Sequence, residues 1–145
     1  MSCTNYTGGA WSVSPQLIND IAEYIVDEFG DCRYYTLLAA KAPTARSKEL
    51  LIEFAADEYK HAQNFMQAYY ALTGCMFTIP AIADPKIPAY EEALKVRIIA
   101  ETNDYRKYGE KYQQVAIPWL RKMFWDARTG EAIHAMRIPI LMEEA

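Results

Sequence analysis

The chain has few of the residues that usually advertise a function. Its three cysteines, Cys3, Cys32 and Cys75, are odd in number and form no Cys-x-x-Cys, which excludes a tetrahedral iron–sulfur site and offers no disulfide framework. A reducing, cytoplasmic setting is therefore expected. There is no basic run, and a net charge of −4 argues against a nucleic-acid partner. The longest uncharged stretch, residues 62–83, is interrupted by Gln63, Asn64, Gln67, Gly74 and Pro80, so no membrane span or membrane partner is expected. No Lys or Arg precedes Arg33, and the N-terminus does not read as a secretory signal. Histidine occurs only twice.

What is present is helical periodicity. The 145 residues suit one domain, large enough to bury about two-thirds of its unfolded surface, so a core can form without a metal. Residues 1–13 carry turn residues without a period and read as an irregular arm, with Trp11 tucked onto the body. Ser14 and Pro15 suit an N-cap and first helical position, and Leu17, Ile18, Ile21, Ile25, Glu28, Cys32 and Tyr35 follow one face toward Ala42. A second helix is expected from Thr44 to Thr73 with Gly74 as its stop. Residues 75–88, with Pro80, Pro85 and Pro88, are too long for a tight turn and too apolar for a loose linker. Extended at about 3.4 Å per residue, they would reach roughly 48 Å, enough to run the length of a bundle and leave helices two and three parallel. A third helix follows from Ala89 to Val115, with Leu94, Ile98, Glu101, Asp104, Tyr105 and Tyr108 inward, and a fourth from Pro118 to about Arg137; Pro139 then interrupts the pattern, and residues 140–145 can either prolong the helix after a kink or pack separately.

Both histidines lie in Glu-x-x-His: Glu58 with His61, and Glu131 with His134. Three residues of helix turn the chain by about 300°, so each pair leans to one face. With 12 glutamates available, two unrelated histidines would both have this neighbour with a chance of roughly (12/145)², under about 1%. The motifs are 73 residues apart (131 − 58), and the same shift maps Glu28 onto Glu101, Asp31 onto Asp104, Arg33 onto Arg106 and Tyr35 onto Tyr108. The chain reads as two copies of one helical hairpin. In each copy the lone Glu precedes the motif Glu by 30 residues (58 − 28 and 131 − 101), with a turn near Pro43 or Ala116 halfway between. At about 1.5 Å per residue both glutamates lie roughly 21 Å from their turn, so antiparallel packing brings them level.

Taken singly, each glutamate is better explained as part of a solvated helix face and each histidine as a hydrogen-bonded core residue. Together they are not, because four ionised carboxylates in a core cost many kcal/mol unless cations neutralise them. Two divalent ions would supply that compensation. Oxygen-rich donors with one imidazole per ion suit iron or manganese better than zinc.

In this pattern the chain resembles the ferritin-like di-iron carboxylate proteins, in which two helices each give a Glu and two give Glu-x-x-His. Asp27-Glu28-Phe29-Gly30, the run from Phe54 to Ala62 and Ile117-Pro118-Trp119-Leu120-Arg121 are most similar to the rubrerythrin-type domain. The resemblance implies an all-α four-helix bundle and a centre of two iron ions, with manganese possible. Glu58 and Glu131 would bridge the ions, Glu28 and Glu101 would be terminal, and His61 and His134 would each bind one. Asp31 and Asp104 are expected beside the centre, accepting a hydrogen bond from a ligand histidine, and Tyr35 and Tyr108 on a carboxylate. Asp104 is a methylene shorter than the additional Glu that can ligate from the third helix in rubrerythrins. Cys32 and Tyr105, four residues after a terminal Glu, are within reach of an oxidant, although Cys32 is adequately explained as a small core residue.

The implied activity is reduction of hydrogen peroxide or dioxygen. With no Cys-x-x-Cys for a rubredoxin-like domain, the electron donor is expected to be separate. Iron storage of the mini-ferritin or bacterioferritin kind and a manganese catalase share the ligand pattern. A demethoxyubiquinone-type hydroxylase shares it too, but needs a membrane-binding surface. The apolar run Ile138-Pro139-Ile140-Leu141-Met142 suggests a homodimer or small homo-oligomer.

Overall fold

The structure, a computed structural model, describes residues 13–145; the N-terminal arm and the placement of Trp11 lie outside the described residues. Four helices follow in order: α1 (Pro15–Ala39), α2 (Ala45–Thr73), α3 (Tyr90–Gln114) and α4 (Pro118–Glu143). The Ser14 hydroxyl caps α1 by accepting from the Leu17 N–H at 3.1 Å, and Thr44 caps α2 by accepting from Ser47 at 3.0 Å. At the end of α2, Gly74 has φ 71°, the left-handed conformation that lets the chain turn out of the helix. First-turn acids Glu91 and Glu92 favour the start of α3, which has no side-chain cap.

One helix end differs from the sequence reading. The first helix stops at Ala39 rather than Ala42, because Pro43 pushes the residue before it out of the helical region. The fourth extends past Arg137 through Pro139 to Glu143, the prolonged course of the two that the sequence leaves open. Proline costs a helix interior about 3 kcal/mol, but Ile138 and Leu141 are both fully buried against α1 and α2 residues, and that packing holds the last turns in place.

The helices form two antiparallel hairpins. Asp20 pairs with Lys111 and Asp31 with Arg97, so numbers fall along α3 as they rise along α1; α1 and α3 are antiparallel, leaving α2 and α3 parallel. Arg137 pairs with Glu53 and His134 with Asp57, which sets α4 antiparallel to α2. The intervening segment runs along α1, where Arg33 grips Asp84 at 2.6 and 3.0 Å and Lys41 donates to the carbonyls of Ile87 and Pro88. Phe77 packs edge-on against Tyr69 near its start.

The apolar core is split. One cluster includes Ile21, Ile25, Phe65, Leu120 and Phe124, and the other Leu38, Leu51, Phe54, Leu94 and Ile138. Between them, at mid-height, the buried residues are Glu28, Glu58, His61, Glu101, Glu131 and His134. Among the described residues no helix is long and apolar enough to cross a membrane. Cys32 is free, whereas Cys75 is disulfide-bonded; the second finding corrects the expectation that the cysteines are reduced.

Replacing Pro139 with alanine restores one backbone N–H to a helix whose path is already fixed. Pro139→Ala is expected to raise stability by about 1–2 kcal/mol, measured by urea unfolding; a loss of stability would show that the last turns are not helical in solution.

Candidate metal centre

Glu28 comes from α1 and Glu101 from α3, and α2 and α4 each present Glu and His one turn apart. The structure brings all six together in two overlapping sets: Glu28, Glu58, His61 and Glu131, and Glu58, Glu101, Glu131 and His134. Within each set one ligand atom per residue lies within 4.8 Å of the others. Glu58 and Glu131 belong to both, and their oxygens divide accordingly. His61 Nδ1 lies 3.1 Å from Glu58 Oε2, 3.1 Å from Glu131 Oε1 and 3.4 Å from Glu28 Oε2. His134 Nδ1 lies 3.1 Å from Glu58 Oε1, 3.2 Å from Glu101 Oε2 and 3.7 Å from Glu131 Oε2.

The outer face of each terminal carboxylate is occupied across the bundle. The Tyr35 hydroxyl donates to Glu101 Oε1 at 2.5 Å, and the Tyr108 hydroxyl donates to Glu28 Oε1. Burial raises both phenols well above their ordinary range, so they remain protonated donors. Each terminal Glu thus keeps its Oε2 turned toward a histidine.

Asp31 and Asp104 do not reach a histidine, contrary to the sequence expectation. Asp31 forms a two-pronged ion pair with Arg97 at 2.7 and 2.8 Å, and Asp104 takes Lys107 at 2.6 Å. Three residues past a terminal Glu lies about 60° off its face, which turns these carboxylates aside from the His-bearing helices. Arg97, 5% exposed, also bonds Glu101 Oε1 at 2.5 Å. Its guanidinium lies over Tyr34 and Tyr35, while the Lys107 ammonium lies over Tyr24 and Tyr108. Positions 24 and 97, and 34 and 107, are again 73 apart, so each ring–cation pair is repeated with its members exchanged: α1 gives both rings and α3 both cations. Identical residues at that shift do not reveal it, since ring and cation swap places.

The histidine partner that sequence reasoning missed is Asp57, whose Oδ2 lies 3.1 Å from His134 Nε2. Cys32 is partly buried and Tyr105 is bonded by Arg128, so neither enters the cluster.

The charges in this layer are coupled. Burial works against a charged imidazole, yet contacts with Glu131, Glu28 and Glu58 push His61 up to about 12, and contacts led by Asp57 and Glu101 raise His134 further. Burial opposes ionisation of Glu58, but bonds from both histidines hold it well below the carboxylate range. Glu131 goes the other way, to about 8, through burial and the Glu58 and Glu101 charges. Burial and Glu131 raise Glu28 as well. Protons hold together what would otherwise be mutually repelling carboxylates.

The donor set fits metal ions better than it fits protons alone. Glu28 Oε2, Glu58 Oε1 and Glu131 Oε1 are buried without a hydrogen-bond partner of good geometry, and all three belong to the shared sets. Two buried carboxylate–imidazole sets joined by two common carboxylates can hold a pair of divalent ions. Residues 21–76 match the rubrerythrin family model. The match spans most of the first hairpin, and with it Glu28, Glu58 and His61; the rubrerythrin-like stretch is continued into Glu101, Glu131 and His134 by the internal repeat. No curated protein and no solved structure matches the chain significantly.

Metal-free protein is expected to be most stable near pH 4.5 and to lose stability on both sides, more steeply above about 6.5. His61, raised from 6.5 to about 12, contributes fully below 6.5 and loses that contribution as pH climbs toward 12. Glu131, raised from 4.5 to about 8, favours the folded state only while protonated, so stability also falls from 4.5 through 8. Glu58, lowered from 4.5, costs stability as pH falls below that value. Thermal melts of chelator-treated protein across this range check the profile, and bound divalent ions should remove its alkaline fall by replacing the protons.

Proposed function

We propose that the chain is a di-iron oxidoreductase of rubrerythrin type that reduces hydrogen peroxide or dioxygen. The observation that carries the reading is the pair of four-residue sets sharing Glu58 and Glu131, each presenting three carboxylates and one imidazole. On this reading Glu58 and Glu131 would be shared by the two ions, Glu28 and Glu101 would each serve one, and His61 and His134 would each offer one ion a nitrogen. Oxygen-rich donors of this kind suit iron, with manganese as the nearest substitute. Bound iron would supply the two electrons that, with two protons, take one peroxide to two waters.

The chain's own residues govern charge and protons around that chemistry. Tyr35 and Tyr108 hold Glu101 and Glu28 from outside, keeping each carboxylate turned inward. Asp31, raised to about 6 by burial despite Arg97, and Asp104, raised by burial despite Lys107, stand beside these carboxylates in ion pairs, where they could take up a proton and pass it on. A separate reductant returns the electrons, in a cytoplasmic setting; the disulfide at Cys75 removes one of the sequence arguments for that location. Association as a homodimer or small oligomer is proposed on the exposed apolar side chains of α4, among them Met136 and Ile140.

Glu58→Ala is expected to cost both ions, and Glu28→Ala or His61→Ala mainly one, as counted by elemental analysis of protein purified without chelators. One zinc per chain in the parent protein would overturn the di-iron assignment. In stopped-flow mixing of anaerobic di-ferrous protein, peroxide should oxidise the centre at least about tenfold faster than dioxygen, equivalent to about 1.4 kcal/mol of barrier. Equal rates with tens of ferric ions retained per chain would instead establish iron storage.

A further inference from the structure

The repeat that makes the two halves alike fails at one pair of positions facing the histidines. Both imidazoles turn Nδ1 toward the carboxylates, which leaves Nε2 as the outer nitrogen. On one side Asp57 meets His134 Nε2 at 3.1 Å. The position 73 residues on is Gly130, and it faces the other imidazole: a Cβ built there would lie 2.6 Å from His61 Cε1 and 2.7 Å from Nε2. Helix α4 comes so close to the ring that no side chain fits, and among the described residues no hydrogen bond is made to His61 Nε2. His134 is fully buried, while His61 is 8% exposed. A groove of about 300 Å³ opens beside it, lined by Asp57, Lys60, His61, Asn64, Trp125 and Gly130 among others.

On the reading of the centre as a di-metal site, we propose that Asp57 is a positioning residue that makes the two metal positions unequal. The position at His134 fills first and holds its ion more tightly; the position at His61, beside the groove, is the exchangeable one. A carboxylate on the outer N–H of a ligand imidazole fixes the ring's tautomer and orientation and makes the inner nitrogen a better donor, an effect of about 10- to 100-fold in metal affinity. The other charges nearby do not reverse this. Arg97 touches Glu101, but Asp31 neutralises it, and Lys107 with Asp104 forms the corresponding neutral pair on the other side. Each terminal Glu has a phenol on one oxygen and turns the other toward its histidine. The halves differ in that Arg97 also bonds Glu101 while, among the described residues, no Lys or Arg bonds Glu28, and at 57 and 130, where the contact is to the imidazole itself.

The test is calorimetric and spectroscopic titration of metal-free protein with Co(II), a redox-stable stand-in for Fe(II), without any activity measurement. The parent protein should take up two ions in two classes at least about tenfold apart. Asp57→Ala should weaken the tight class by about 10- to 100-fold and leave the loose one unchanged, with Asp57→Asn, which retains an acceptor oxygen, in between. Gly130→Ala, which by itself favours a helix, should weaken only the loose class by displacing the His61 ring. Two equal ions in the parent, or equal weakening of both classes by Asp57→Ala, overturns the inequality while leaving the di-metal centre standing. Fewer than two ions per chain overturns the di-metal reading itself.

Discussion

Four carboxylates sit in the middle of a helical bundle, and their mutual repulsion is the constraint to which the surrounding structure responds. Burying even one unpaired carboxylate is costly, and here Glu28, Glu58, Glu101 and Glu131 are each at most 3% exposed. The compensation is layered. Two imidazoles stand among the carboxylates, two phenols donate from outside, and beyond them Arg97 and Lys107 pair with Asp31 and Asp104. The apolar clusters above and below keep water from doing the same work less selectively. A cation binding there exchanges with protons rather than entering a neutral cavity, which ties metal uptake to pH and to the stability of the bundle.

Much of this was legible beforehand, for a definite reason. A helix imposes a fixed rotation and rise, so Glu-x-x-His fixes which side chains share a face, and equal distances from a turn fix which of them are level. The four helices, the long parallel crossover and the convergence of Glu28, Glu58, His61, Glu101, Glu131 and His134 follow from arithmetic on those two numbers. The crossing of Tyr35 to Glu101 and of Tyr108 to Glu28 needs only the added fact that α1 and α3 are antiparallel.

What was not legible depends on long side chains or on close approach of backbones. Arg97 reads as a solvated charge by its type, yet it reaches across to Asp31 with its guanidinium over the Tyr34 and Tyr35 rings. Asp57 stands one residue before a buried Glu and is itself partly exposed, so periodicity assigns it to the surface; only the distance between α2 and α4 shows that it meets His134. Gly130 carries no signal until the His61 ring is seen against it. Pro139 leaves the course of the last residues open in the sequence, and the burial of Ile138 and Leu141 decides it.

The exchanged ring–cation pairs have a consequence for how such a molecule can vary. In an assembly of two identical hairpins, whatever stands at one position stands at its mate, so tyrosines at 24 and 34 would require tyrosines at 97 and 107, and both cations would be lost. Joined head to tail by residues 75–88, the halves are released from that obligation. Tyr24 can lie beneath Lys107 while Arg97 lies over Tyr34, and Asp57 can face an imidazole where its counterpart is glycine. The connecting segment is what permits a symmetric scaffold to carry two individually adjustable halves.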